Sequence, residues 1–393
     1  MINFDLKPDR IKEKCRKWDY EIIQQNFGKV DKNYIPMWIA DMDFIVPKEI
    51  REKFIQAIDR GVFGYTYCYE EFYNAVIDWQ RDMHNVYVNK EEIILTYGTV
   101  STLHYVVQAF CDEGDSIIIN TPVYEPFDSS AKKQGVNVIY NKLDIIKNRY
   151  YINYDLLDNQ INKYRPKLMF LCSPHNPSGR IWSYDELKKV AQICNDNNII
   201  LVVDEVHAEY VFEGEFKSIL TLDKDLIKNV ILLTSPNKAF NLGGLKTSYA
   251  IIKNDYIREN FKNKLKQNSV TSPNVFGVIA LITAYNECRY WIEEVRNYIR
   301  DNYIILEKWI SKNKRLSMMK MESSFLVWLN IEKLGIDSSE VTKILARDYG
   351  LLVEDGKHFV DNGEKFIRIN LGTQRENVEK MLKKMECFIK KLE

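Results

Sequence analysis

Lys238 lies just past an apolar run, Val230–Thr234, within Thr234-Ser-Pro-Asn-Lys-Ala-Phe-Asn-Leu-Gly-Gly-Leu245. A lysine held where a hydrophobic strand ends has its ammonium near a low-dielectric interior. That favours the neutral amine needed for attack on a carbonyl carbon. Two further polar residues stand at comparable places. Asp204 closes the run Ile199–Val203, and Asn176 comes after Leu168–Cys172 within Ser173-Pro-His-Asn-Pro-Ser-Gly179. A cation, an anion and an amide at three strand ends are what an open α/β sheet brings to one ligand crevice.

The elements that must position them can be read from periodicity. Seven runs read as strands: Ile93–Tyr97, Ser116–Asn120, Val136–Tyr140, Leu168–Cys172, Ile199–Val203, Val230–Thr234 and Tyr249–Ile252. Most are continuously apolar, the mark of strands covered on both faces. Helical patterns separate them: Thr102–Phe110, Asp155–Ile161, and a segment opened by the capping-box spacing Ser183-Tyr-Asp-Glu186. This alternation predicts an α/β fold with a mostly parallel seven-stranded sheet in a large domain. After about residue 285 the pattern becomes α+β. A long helix over Trp291–Lys312 is succeeded by a strand at Phe325–Leu329, a helix at Ser338–Arg347, a strand at Phe366–Asn370 and a closing helix from Glu376. The expected division is a large domain over 46–285, and a smaller one from 286–393 joined by an N-terminal arm over 1–45.

Bulk composition excludes several function classes. Lys+Arg total 55 and Asp+Glu 55, so no net field draws the chain to nucleic acid or anionic membrane. The seven cysteines (Cys15, Cys68, Cys111, Cys172, Cys194, Cys288 and Cys387) are dispersed, which predicts reduced thiols in a cytoplasmic protein. No apolar run approaches the ~20 residues that span a bilayer, and no signal peptide is visible. No G-x-G-x-x-G or G-x-x-x-x-G-K-[ST] string comes after any predicted strand, which disfavours dinucleotide and P-loop chemistry.

The residues just beyond each strand form a consistent set. Tyr97-Gly-Thr-Val-Ser-Thr102 places Gly98 before a helix start, where the backbone N–H groups of Thr99 and Val100 suit a phosphate. Thr121-Pro-Val-Tyr124 supplies an aromatic that could cover a planar ring. His207 stands three residues after Asp204, and Ser235 precedes Lys238. A phosphate cradle, a ring-stacking aromatic, a carboxylate, an amide and an amine describe pyridoxal 5'-phosphate better than a nucleotide. No metal is expected.

On these residues the sequence resembles the fold-type I pyridoxal-phosphate enzymes, and within them the MalY/PatB-type cystathionine β-lyases (C-S lyases) of the class I/II aminotransferase superfamily. The resemblance rests on Lys17-Trp-Asp19, Ile35-Pro-Met-Trp-Ile-Ala-Asp-Met-Asp-Phe44, Phe63-Gly-Tyr65, Thr121–Tyr124, Ser173-Pro-His-Asn-Pro-Ser-Gly-Arg-Ile-Trp182, Asp204-Glu-Val-His207, the Lys238 segment and Phe366-Ile-Arg-Ile-Asn370. It implies that Lys238 bonds the cofactor and then moves the Cα proton. Asp204 would pair with the pyridine nitrogen, Asn176 with the phenolic oxygen assisted by His207, and Tyr124 would stack on the ring as a third catalytic residue. Gly98, Thr99, Val100, Ser235 and Lys246 would hold the phosphate, with Tyr65 reaching in from a second subunit. Arg368, Trp38 and Ala40 would face the substrate. The activity implied is β-elimination from cystathionine or a related cysteine S-conjugate, giving thiol, pyruvate and ammonia, in a homodimer with shared active sites. The alternatives are an aminotransferase, which shares each step up to the carbanion, and a cofactor-bearing protein with a mainly regulatory binding role.

Two departures stand out. Relatives carry an arginine where this chain has Lys246, and a serine where it has Asn237. Structural readings compete with functional ones at several positions. Arg368 could face solvent, Asp204 and Glu205 could be a surface acid pair, and His175, His207, Trp38 and Trp182 could serve packing. Cys15 and Cys172 read as small hydrophobes without a nearby base.

Overall fold

A computed structural model describes residues 2–392. Its centre is a seven-stranded sheet in the order Ile93–Thr96, Ser248–Ile251, Val230–Thr234, Ile200–Asp204, Leu168–Cys172, Ser116–Thr121, Asn137–Lys142. Every neighbouring pair is parallel except those made by Ser248–Ile251, which runs against both its neighbours. All seven sequence-predicted strands enter this one sheet. Side-chain alternation sends Met169, Leu171, Leu201, Val203 and Leu232 into one core and Leu168, Phe170, Val202, Ile231 and Leu233 into a second. Both faces are therefore covered, which is why the central strands Leu168–Cys172, Ile200–Asp204 and Val230–Thr234 are apolar up to their last residue.

The helices arise from local signals. Ser183 and Glu186 close a reciprocal capping box at the head of Tyr184–Asp196, whose Leu187, Val190, Ala191 and Cys194 are buried. The long helix runs over Arg289–Ile310 and buries Trp291, Ile292, Val295, Ile299, Leu306 and Ile310 at three- and four-residue spacing. The helix expected from Thr102 begins earlier, at Thr99, because Gly98 (φ 83°) serves as its N-cap.

A second sheet of five strands has the order Ile35–Met37, Leu351–Asp355, Phe366–Asn370, Leu326–Asn330, Ser317–Met318. Ile35–Met37 and Leu351–Asp355 were not legible as strands. The first is only three residues long and contains a proline; in the second, two acids come after a short apolar run. Each is held by register, Ile35 opposite Leu351 and Glu354 opposite Arg368. A short ladder ties this unit to the large sheet's loops, with Phe359 opposite Tyr124 and Val360 opposite Val123.

The segments entering and leaving the ladder strand Phe359–Val360 cross at two glycines, Gly356 and Gly363. A Cβ on Gly356 would lie 1.9 Å from the Gly363 carbonyl oxygen and 2.2 Å from that of Phe366, both backbone atoms with no rotamer to yield. Gly356→Ala should therefore destabilise the fold by about 3 kcal/mol through overpacking. A fall in the denaturant midpoint at unchanged slope would register it, and an unchanged midpoint would refute it. Among the described residues no helix is long and apolar enough to cross a membrane, and all seven cysteines are free.

Candidate active site

Register explains why residues far apart in sequence converge. Asp204 stands opposite Cys172 on one side and Leu233 on the other, so the three strands end level. Four residues beyond Cys172 comes Asn176, and four beyond Thr234 comes Lys238, carried on the single turn Pro236–Ala239. Ser235 starts that turn by accepting the Asn237 N–H (3.0 Å) while its hydroxyl donates to the Thr247 carbonyl (2.7 Å). The result is a cavity of about 410 Å³ at the carboxyl ends of the strands, within the size range of small-molecule sites. Gly98, Thr99, Val100, Tyr124, Asn176, Asp204, His207, Ser235, Lys238, Lys246, Arg368, Trp38 and Ala40 all line it.

The electrostatics of the cavity centre on three groups. The Lys238 ammonium donates to the Ala40 carbonyl at 2.5 Å. Burial, reinforced by the Arg368 charge and opposed by Asp41 and Asp204, lowers its pKa to about 8 from an ordinary 10.5. Asp204 is 5% exposed and its carboxylate accepts one N–H, that of Val206 at 3.1 Å. Burial raises it to about 6 despite that bond and the charge of Lys238. Arg368 is 4% exposed. It donates through Nη1 to Asn176 Oδ1 (3.1 Å) and through Nη2 to the Trp38 carbonyl (2.9 Å), and lies 3.8 Å from Glu354. Its Nε has no hydrogen-bond partner among the described residues. The guanidinium sits 4.8 Å from the Phe359 ring centroid, which fixes its plane.

Burial and hydrogen bonding decide between the competing structural readings. Arg368 is buried, not solvent-facing, because its strand is covered on both sides. Asp204 and Glu205 are both buried rather than a surface pair, with Glu205 accepting the Ile219 N–H at 2.7 Å and driven up to about 8 by burial. His175 is buried against Ser178 (2.8 Å), and Trp182 donates to the Cys172 carbonyl (2.9 Å), so both are framework. His207 is buried beside Ser324 Oγ at 3.2 Å and borders the cavity. The Trp38 ring packs edge-on against Phe27, so this residue meets the site through its carbonyl. Cys172 behaves as a buried hydrophobe, but Cys15 does not: its sulfur lies 2.6 Å from Arg10 Nη2 and 3.8 Å from Asp41. Arg10 reaches it through a local turn, in which the Cys15 N–H donates to the Arg10 carbonyl, and only Asp41 is brought in by the tertiary fold.

Lys246 takes the position after the Gly243–Leu245 turn in a left-handed conformation (φ 55°). A Cβ built on Gly98 would lie 3.7 Å from its Cδ. Its side chain therefore packs against the uncapped start of Thr99–Phe110, which has no side-chain cap of its own. Tyr65 is fully exposed and does not line the cavity of its own chain. Sequence reasoning missed Glu354 and Arg16, both of which border the cavity. Glu354 carried the same signal as Asp204, an acid closing an apolar run (Leu351-Leu-Val353); Arg16 carried none.

A doubly wound sheet whose strand ends present an amine, a buried acid and a helix start without a side-chain cap defines the class of pyridoxal-phosphate-dependent transferases of fold type I. The chain belongs to the family of class I and II aminotransferases, which matches residues 32–385. It is 32% identical over 390 residues to the cystathionine β-lyase PatB of Bacillus subtilis (strain 168), covering 99% of this chain and 100% of that one. Among solved structures it resembles cystalysin from Treponema denticola, which contains pyridoxal 5'-phosphate, with TM-score 0.95 and 29% identity over 100% of both chains. It likewise resembles the pyridoxal-phosphate-bound C-S lyase of Staphylococcus hominis, with TM-score 0.91 and 27% identity over 98% of both.

Proposed function

We propose that this chain is a pyridoxal-phosphate-dependent carbon–sulfur β-lyase acting on cystathionine or related cysteine S-conjugates. The observation that carries the proposal is an amine with a depressed pKa sharing one cavity with the buried Asp204 carboxylate and a buried arginine. The residues present fit the cofactor. Asp204 has a single hydrogen bond to the protein and needs a cationic partner. The start of Thr99–Phe110 offers backbone N–H groups beside the Lys246 cation. Asn176 spends its amide oxygen on Arg368, which leaves its NH2 as a donor. Tyr124 offers a ring face, and Ser235 and His207 complete the wall.

When bound, the cofactor supplies an electron sink for the charge left at the substrate Cα. The protein's own groups do the rest. Arg368, already oriented by Asn176 and the Trp38 carbonyl, takes the substrate carboxylate; a planar fork suits that task better than an ammonium. Lys238, neutral above its lowered pKa, binds the cofactor and then accepts the Cα proton. The carboxylate of Asp204 holds a positive charge at the ring nitrogen. Loss of thiolate from Cβ then leaves the fragment that hydrolyses to pyruvate and ammonia.

Incubation with L-cystathionine and no keto acid should release pyruvate and free thiol. A strict requirement for 2-oxoglutarate would instead assign an aminotransferase. The lowered Lys238 pKa has its own consequence. Capture of pyridoxal phosphate by cofactor-free protein, trapped with borohydride, should rise about tenfold per pH unit below about 8 and level off above it. The sign is set by the fact that only the neutral amine attacks. A rate still climbing at pH 10 would mean an ordinary, solvated lysine.

The same reading includes a homodimer, with Tyr65 serving the site of a second copy. Val62, Phe63, Tyr65 and Tyr67 form an exposed apolar stretch that suits burial against another chain. Sedimentation of an active, cofactor-loaded monomer would overturn it. It also divides the chain into a large unit over 46–285 and a smaller one over 286–393 with the arm 1–45; the pairing of Ile35–Met37 with Leu351–Val353 supports this division.

A further inference from the structure

A second cavity, of about 560 Å³, adjoins the first and shares Tyr124, Glu354 and Arg368 with it. Its remaining wall includes Glu125, Asp128, Lys132, Lys357 and His358. The Phe359–Tyr124 ladder forms one side, so the wall is fixed by backbone pairing rather than by a free loop. We propose that this outer cavity is the leaving-group subsite, and that Glu125 and Glu354 favour thioethers whose departing thiol ends in an ammonium over those ending in a carboxylate. The inference rests on the lyase reading and names the substrate class that reading leaves open.

Position comes first. Arg368 and Tyr124 border both cavities, so a substrate whose carboxylate meets Arg368 has its side chain at their junction. Arg368 is buried and its Nε has no hydrogen-bond partner among the described residues, so it has donor capacity left for a ligand at that junction.

Charge decides the rest. The cations of the outer wall already have partners. Lys132 is 3.1 Å from Asp128 and donates to the Tyr140 hydroxyl at 2.6 Å. Lys357 is bound to Asp337 at 3.1 Å, and His358 Nδ1 lies 2.6 Å from Glu354. Glu125, by contrast, is exposed and makes no ion pair among the described residues. Glu354 is anchored through one oxygen by His358, and its other oxygen faces Arg368 at 3.8 Å. Once a substrate carboxylate occupies Arg368, that second oxygen has lost its cation and presents negative charge to the cavity. A distal ammonium restores a partner for it. A distal carboxylate meets Glu125 and the freed oxygen of Glu354, the repulsive element by which a site rejects a near-isosteric competitor. The same repulsion weakens short dicarboxylates of the kind that serve aminotransferases as acceptors.

The test compares kcat/KM of the cofactor-loaded enzyme for S-(2-aminoethyl)-L-cysteine and S-(carboxymethyl)-L-cysteine, with uncharged S-ethyl-L-cysteine as reference. The wild-type ratio of the first to the second should be about tenfold or more. Glu125→Gln should lower it about fivefold, and adding Glu354→Gln should lower it further. A ratio is insensitive to general loss of activity, so partial damage in either variant does not blur the result. L-Lysine and L-2-aminoadipate have the same length and the same end charges without sulfur, and serve as unreactive competitors. Lysine should show the lower inhibition constant against S-ethyl-L-cysteine turnover. Thiol release from S-ethyl-L-cysteine with a charge ratio near one, or a ratio unmoved by both substitutions, overturns this inference alone. No thiol from S-ethyl-L-cysteine and none from L-cystathionine overturns the lyase reading and this inference with it; thiol from L-cystathionine with none from any of the three S-alkyl cysteines overturns this inference alone.

Discussion

Lys238→Ala should reduce thiol release from L-cystathionine by on the order of 10⁴-fold, because in the proposed mechanism one side chain would both bond the cofactor and move the Cα proton. Borohydride followed by peptide mapping should find no cofactor on the variant. The substitution also separates function from folding. Burial has already driven the Lys238 amine down to about 8, so its charge is disfavoured where it sits. Among the described residues the only hydrogen bond the amine makes is to the Ala40 carbonyl, which borders the cavity. Deleting it should leave the melting temperature unchanged or slightly raised, the usual relation between stability and a charged catalytic group. A variant that is folded and still releases thiol within about tenfold of wild type would remove Lys238 from the chemistry.

Asp204→Asn is the second large effect. The amide keeps the shape, and its oxygen can still accept the Val206 N–H, but it carries no charge to hold a proton on the heterocycle nitrogen. We expect kcat to fall on the order of 10²–10³-fold, the scale of losing one preorganised electrostatic contact. Cofactor should remain detectable by absorbance, though bound more weakly. Activity within about threefold of wild type would show that the carboxylate is not needed.

A linked stability effect has a definite sign. In the cofactor-free protein Asp204 keeps its proton up to about pH 6, against an ordinary value of 3.8. The folded state thus binds more protons than the unfolded one across that window, and stability falls as pH rises through it. Cofactor-free Asp204→Asn should therefore be more stable than wild type at pH 7, with the gap closing below about pH 4. A pH-independent gap would mean that the carboxyl is solvated.

Much of the site was legible because the chemistry-bearing residues sit within a few positions of strand ends. Asp204 and Lys238 come after runs so apolar that only a two-sided interior accommodates them, and a polar residue closing such a run needs a partner. Tyr124 and Gly98 stand beyond their strands in the same way. The small sheet was harder to read. Ile35–Met37 and Leu351–Asp355 are too short for periodicity to register, and they are strands because the first pairs with the second and the second also pairs with Phe366–Asn370. Arg368 lay in a recognisable strand, yet which way it faced was undetermined, because a strand alternates and one sequence does not say which face is covered.

The order of the strands along the chain and the polar residues at their ends are written in the sequence, since burial of a whole strand leaves no freedom in its composition. The tertiary structure alone decided what meets across the crevice. The Ala40 carbonyl accepts from Lys238 across 198 residues, the Trp38 carbonyl from Arg368 across 330, and Glu354 faces Arg368 by strand register. Such contacts are set by strand register within the small sheet and by where that sheet's edge meets the loops of the large one. No local propensity encodes that, so the groups that tune the amine and orient the arginine become visible only once the chain is folded.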